Sequence, residues 1–133
     1  MKFLAENERY KVYSIYESVY LKDKSISENL IDYSDDDIFI TAIYGDPSNA
    51  ILIGNKKSQH ILISGCGINI FDINTGKCLE LFTQKNNMLW TYAIHQEDSD
   101  CQLTEFRFIS YDNTDIPVIY KMNLKDKAPT KLT

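Results

Sequence analysis

The chain has 133 residues, of which 44% are hydrophobic and 25% charged, with a formal net charge of -5 at pH 7. This composition is typical of a soluble globular protein with a substantial core, and we predict that residues 1–133 form one domain. The acidic balance disfavours surfaces that bind nucleic acid or anionic lipid, because both need concentrated Lys and Arg. We therefore expect neither nucleic acid nor a membrane as a partner.

The N-terminus and the cysteines set further limits. The first residues, Met-Lys-Phe-Leu-Ala-Glu-Asn-Glu, contain no apolar stretch of signal-peptide length, so we expect a cytoplasmic protein. Cys66, Cys78 and Cys101 fit neither a disulfide framework nor a zinc pattern. Each is expected to be a small buried hydrophobe.

Short strands separated by turn residues are predicted along the chain, since nine Tyr and six Phe favour strands over helices. The predicted strands are 10–14, 18–21, 38–44, 50–53, 60–64, 68–73, 78–82, 89–94, 101–104, 106–110 and 117–122. The segment 25–32 is left open between a helical turn and a loop. The runs 38–44 and 50–53 flank the turn residues 45–49 and are predicted to form a hairpin.

A strand motif recurs about every 50 residues, with Tyr20, Phe71 and Tyr120 in equivalent places. Strand-rich repeats of this length are typical of propeller blades. We therefore predict an all-β fold of antiparallel four-stranded, blade-like meanders with about two and a half repeats. The units are placed approximately at 9–24 (partial), 38–82 and 89–133. The alternative is a β-sandwich, because any antiparallel meander alternates strands with polar turns.

Two strings resemble the ends of known propeller blades. IYKMNL at 119–124 and PTKLT at 129–133 resemble the endings of Tol-type and prolyl-oligopeptidase-type blades, and FDINTGK at 71–77 resembles those of WD-type and quinone-binding blades. The resemblance implies a fold and carries no catalytic or binding signature. With so few units it implies an open half-propeller, whose end sheets must be covered by loops, a second copy or a partner.

Catalytic and metal-binding patterns are not found in the sequence. His60 and His95 lie in different units without partners at ligand spacing, so no metal and no cofactor are expected. No phosphate-binding loop or nucleophile elbow is present. A thiol-dependent enzyme that uses Cys66, in a turn, with either His is the weaker alternative, and we predict no enzyme.

Acidic residues concentrate in the predicted turns. Asp46 and the pair Glu97 and Asp98 occupy the same turn of successive units, so the repeat predicts that they share a face with Asp100. Such a face would steer a basic partner, while exposed aromatic side chains would supply affinity. The predicted partner-binding residues are Asp35, Asp36, Asp37, Asp46, Glu97, Asp98, Asp100, Tyr44 and Tyr111.

These features favour a non-enzymatic protein-binding module. A small, acidic chain without catalytic residues is similar in character to the bacterial immunity proteins that neutralise toxins. That resemblance implies a cognate toxin domain as partner, such as a basic nuclease of a contact-dependent inhibition system. The alternative is a scaffold module that completes its fan by self-association, so the sequence leaves monomer and homodimer open.

Overall fold

The structure is a computed structural model that describes residues 1–55, 58–81, 90–94, 105–111, 117–123 and 130–132. In these ranges every regular element is a strand, and none of the described residues forms a helix that could cross a membrane. The strands are β1 (Lys2–Glu6), β2 (Tyr10–Ile15), β3 (Ser18–Asp23), β4 (Ile38–Ala42), β5 (Asn49–Asn55), β6 (Ser58–Gly65), β7 (Gly67–Asp72), β8 (Cys78–Leu81), β9 (Trp90–Ile94), β10 (Glu105–Tyr111), β11 (Pro117–Asn123) and β12 (Thr130–Lys131).

The strands form three antiparallel sheets of four strands each. The orders are β1-β2-β3-β4 in the first sheet, β5-β6-β7-β8 in the middle sheet and β12-β11-β10-β9 in the third. Every neighbour in a sheet is also a neighbour in sequence, so each sheet is a meander. The predicted all-β fold of antiparallel four-stranded meanders is confirmed.

The predicted hairpin between the runs 38–44 and 50–53 is wrong. β4 pairs with β3 and closes the first sheet, whereas β5 begins the middle sheet. The chain leaves the first sheet at Gly45 and Asp46, which both have positive φ, and the Ser48 N–H then donates to the Ser64 C=O at 2.7 Å. These turn residues therefore carry the chain from one sheet to the next. The first sheet also gains β1, which the sequence pattern did not predict.

The core lies on both faces of the middle sheet, because successive side chains of a strand point to opposite faces. Ile61 and Ile63 of β6 belong to a cluster with Val12 and Leu21 of the first sheet. Leu62 lies between them in sequence and belongs to a second cluster, which includes Phe108 of β10. The middle sheet is therefore packed between the first and third sheets.

The tight turn between β6 and β7 is where the three sheets meet. Gly65 has φ +153°, and a Cβ there would lie 2.8 Å from the Ile43 Cγ2 atom, just beyond β4. From the third sheet, the Thr91 hydroxyl donates to the Gly67 C=O at 2.7 Å and accepts from the Gly65 N–H at 3.3 Å. Glycine is required at position 65 both by its φ and by this close approach.

The two-sided core gives a test by truncation. Leu62→Ala and Ile63→Ala are each expected to lower the free energy of unfolding by about 2–5 kcal/mol, because both side chains are fully buried. Phe39→Ala, on a side chain that is 54% exposed, is expected to cost about 1 kcal/mol or less. Urea unfolding measures all three. A cost for Leu62→Ala as small as that for Phe39→Ala would contradict burial of the second face.

Candidate partner-binding surface

Four aromatic residues cross the outer face of the first sheet in one line. The strand pairings place Phe3 opposite Tyr13, Tyr13 opposite Tyr20, and Tyr20 opposite Phe39. The ring centroids of Tyr13 and Tyr20 are 5.5 Å apart, and those of Tyr20 and Phe39 are 5.9 Å apart. We call these four residues the aromatic row. Its two ends are open to solvent, since Phe3 is 56% and Phe39 54% exposed.

The long connection between β3 and β4, residues 24–37, is called the connector and lies over this face. The Tyr33 ring meets the Tyr20 ring edge-on with centroids 5.4 Å apart, and the Lys11 ammonium donates to the Leu30 C=O at 3.3 Å. The connector does not bury its own large apolar side chains. Four of them are exposed to solvent: Ile26, Leu30, Ile31 and Tyr33.

A buried ion pair fixes the end of the connector to the sheet. The Lys22 Nζ atom lies 2.9 Å from Asp37 Oδ2, and both side chains are at most 1% exposed. The Tyr13 hydroxyl donates to the same oxygen at 2.5 Å, and the Ser34 N–H donates to it at 3.1 Å. Lys22 Nζ also donates to the Ser27 hydroxyl at 3.2 Å. We call this group of five residues the latch.

The latch keeps the Asp37 carboxylate ionised in spite of its burial. Burial raises the pKa of Asp37, but the hydrogen bonds from Tyr13, Lys22 and the Ser34 amide outweigh it, so the pKa lies below its ordinary value of 3.8. For Tyr13, burial and then the hydrogen bond to Asp37 both raise the pKa of the hydroxyl. Tyr13 is therefore a stable neutral donor to a charged acceptor.

Exposed carboxylates surround the apolar side chains of the connector. Glu28, Asp32, Asp35 and Asp36 are all exposed, and none is in an ion pair with a described residue. Three nearby cations are already paired with carboxylates within the chain, and a fourth, Lys11, donates to the Leu30 C=O. Lys24 is 2.8 Å from Glu6, Arg9 is 3.0 Å from Asp23, and Lys22 is held in the latch. This end of the first sheet therefore presents negative charge beside apolar surface.

The predicted partner-binding residues fall into separate places. Asp35 and Asp36 lie on the connector, as part of the acidic surface just described. Asp37 does not belong to any exposed surface, because its carboxylate is buried against Lys22. Tyr44 is 68% exposed and Asp46 is exposed, but both follow the C-terminal end of β4, at the opposite end of the sheet from the connector.

The remaining predicted residues are not tested by the structure. Glu97, Asp98 and Asp100 lie outside the described residues, and so does the side chain of Tyr111, the last residue of β10. The shared acidic face of Asp46 with Glu97, Asp98 and Asp100 stays a prediction.

Sequence reasoning missed the aromatic row and the latch. Phe3, Tyr13 and Tyr20 come from three different strands, so no alternation along one strand marks them as a group. Their alignment across the sheet depends on strand register, which a sequence pattern does not give. Lys22 carries no signal of burial, because a lysine at a strand position normally faces solvent.

Cys66 and His60 do not lie together, and His95, the other histidine considered with Cys66, lies outside the described residues. Burial raises the pKa of the Cys66 thiol, which opposes formation of the nucleophilic thiolate. His60 lies 3.6 Å from Asp72 near the other end of β6, roughly 20 Å along the strand from Cys66. No group of three His, Cys, Asp or Glu side chains with metal-binding geometry occurs within the described ranges.

No protein-family model matches this sequence, and comparison with curated proteins and with solved structures finds no match either.

The latch predicts a large effect from removing one member of the ion pair. Lys22→Met leaves the Asp37 carboxylate buried without its cation and is expected to lower the free energy of unfolding by about 3–5 kcal/mol. The double variant Lys22→Met with Asp37→Asn is expected to lose less than Lys22→Met alone, because no buried charge remains. Urea unfolding of both variants measures the difference. A double variant that is less stable than Lys22→Met would contradict this account.

The lowered pKa of Asp37 predicts a dependence of stability on pH. The stabilisation from an acid with a lowered pKa is complete above its ordinary value of 3.8 and is lost as the pH falls through the lowered value. The free energy of unfolding is therefore expected to fall below about pH 4 more steeply for the natural chain than for Asp37→Asn. Parallel slopes would show that Asp37 has the same pKa in the folded and unfolded states.

Proposed function

We propose that this chain is a non-enzymatic protein-binding module whose partner docks on the connector and the outer face of the first sheet. The main support is that exposed apolar side chains and exposed carboxylates lie together there, on a connector whose backbone is held by the latch. Six of the twelve exposed large hydrophobic residues among the described ones belong to the connector and to the ends of the aromatic row. Clusters of this kind mark interaction sites, because monomeric proteins rarely leave such patches uncovered.

The three components of this surface serve different steps of binding. Exposed carboxylates attract a basic partner and raise the association rate, whereas aromatic and aliphatic side chains hold it once water is displaced. The latch reduces the cost of ordering the connector, because its backbone is already fixed before the partner arrives. Lys22, Asp37 and Tyr13 thus support binding without contacting the partner.

A toxin domain with a basic cleft is the partner that this surface fits best, and the chain would then act as its immunity protein in the cytoplasm. A nuclease must bind a polyanion, so its catalytic cleft carries concentrated Lys and Arg. An acidic protein that covers the cleft competes with nucleic acid for those cations. A net charge of -5 and the exposed carboxylates of the connector support this proposal.

The gene beside this one supplies the first test. We expect it to encode a protein that ends in a toxin domain with a basic surface, and co-expression of this chain is expected to restore growth of cells that make the domain. A neighbouring toxin that kills equally well with and without this chain would contradict the immunity proposal. The purified toxin domain then serves as the ligand for binding measurements.

Charge reversal on the connector tests the location of the surface. Asp35→Lys together with Asp36→Lys is expected to weaken toxin binding by about tenfold at low salt, mainly through a slower association rate, and by less at high salt. The control is Asp46→Lys at the opposite end of the sheet, which is expected to change the affinity by about threefold or less. Surface plasmon resonance measures both rates. A larger effect of Asp46→Lys would move the binding surface to the predicted acidic face that contains Asp46.

A further inference from the structure

β4 is an edge strand of the first sheet in the described part of the chain. It pairs with β3 and with no other described strand. Just beyond β4, the Ile43 N–H donates to the Glu17 C=O at 2.8 Å, toward the β3 side. Successive N–H groups of a strand point to opposite sides, so the Ala42 N–H points away from β3. Ala42 is exposed, and no described strand pairs with this side of β4.

β4 lacks the side chains that normally protect a sheet edge. Its sequence, Ile-Phe-Ile-Thr-Ala, contains no charge and no proline, which are two of the usual protections. The opposite edge strand, β1, carries both a cation and an anion that bond elsewhere in the chain. Lys2 donates to the Pro47 C=O at 2.9 Å, and Glu6 lies 2.8 Å from Lys24.

A bulge in β4 determines where another strand can pair. Thr41 is opposite Val19 and Phe39 is opposite Tyr20, so Ile40 is the extra residue. Ile40 and Thr41 are both buried, which leaves Ile38, Phe39 and Ala42 as the exposed side chains of the strand. At the Ala42 end, β4 keeps regular pairing with β3, so its backbone there has the regular geometry that an added strand needs. We therefore expect the first hydrogen bonds to an added strand at that end.

We propose that β4 accepts an extended segment of the basic partner as a fifth, antiparallel strand of the first sheet. This inference rests on the proposed protein-binding function and specifies how the partner binds. An antiparallel segment would begin beside Ala42, pass Phe39 with an apolar side chain and end beside the connector. Its C-terminal end would lie near Asp35 and Asp36, so Lys or Arg is the residue type that fits there.

Charge argues against a second copy of this chain as the added strand. An antiparallel pair of two β4 strands would bring the connector of one copy beside the Glu17 and Asp46 turns of the other. Both turns are exposed and acidic, as is the connector. Like charges at both ends of the pair would oppose such a dimer, whereas a segment with basic residues at its C-terminal end would be attracted to the connector.

Proline substitution at position 42 tests the open edge directly. Ala42→Pro removes the outward N–H without breaking a hydrogen bond to β3, and proline is tolerated at such edge positions. The matched control, Ala42→Thr, keeps the N–H. The probe is the synthetic peptide Thr-Val-Thr-Val-Thr-Lys-Lys, titrated by nuclear magnetic resonance. We expect it to shift the Ala42 amide signal and to bind Ala42→Pro at least about tenfold more weakly than Ala42→Thr.

A second pair of peptides keeps the test decisive if Ala42→Pro does not fold. A peptide with N-methyl groups on alternate residues cannot complete the strand pairing, and one that ends in Glu-Glu meets the acidic connector. Both are expected to bind the natural chain at least about tenfold more weakly than the lysine peptide. Equal binding of the N-methylated peptide, or no binding of the lysine peptide at millimolar concentration, would overturn the proposal.

The same variants separate this inference from the proposed function. Suppose that Ala42→Pro still protects cells from the toxin while reversal of Asp35 and Asp36 abolishes protection. Strand addition would then be wrong, although the docking surface would remain.

A homodimer in sedimentation experiments that Ala42→Pro dissociates would show that the occupant is a second copy and would also overturn the proposal. Peptide binding without any toxin protection would leave the open edge intact and refute the immunity function.

Discussion

In a stack of three sheets, only the middle sheet has both of its faces buried by other sheets. Much of this structure follows from that constraint. In β6 the alternation of Ile61, Leu62 and Ile63 sends apolar side chains to both neighbours. In the first sheet one face meets the middle sheet, while the other carries the aromatic row and is covered by no further sheet of the described residues. The connector covers it in part, so the protein keeps apolar side chains at its surface.

The latch is better understood as a positioning device than as a source of net stability. A buried ion pair loses roughly as much in desolvation as it gains in attraction, so an apolar pair in its place would often be equally stable. An apolar pair, however, would not select one conformation of a polar connector. Asp37 accepts hydrogen bonds from a tyrosine, a lysine and a backbone amide, and only one backbone geometry satisfies all of them. The connector gains a defined shape, which a binding surface requires.

The sequence was sufficient to predict antiparallel meanders but not to predict where each meander begins and ends. Alternating apolar residues and turn chemistry act within a few positions, so β2, β3, β6 and β7 were predicted close to their observed places. β4 could pair with β3, before it in sequence, or with β5, after it. The choice depends on the turn at Gly45 and Asp46 and on hydrogen bonds to Glu17, which lies far from that turn in sequence. For the same reason Asp37 was predicted as a surface acid: it lies in the connector, and its partner, Lys22, is in β3.

Two consequences of an end sheet meet at one residue. An outer face exposes side chains, which another surface covers by packing. An edge strand exposes backbone groups, which another strand covers by pairing. Phe39 belongs to the aromatic row on the outer face and also to β4 at the edge, next to the acidic connector. A loop of this chain covers part of the face, but among the described residues no strand pairs with the edge. A partner that contributed both a strand and a basic surface would satisfy the two together, because pairing with β4 brings its following residues to the connector.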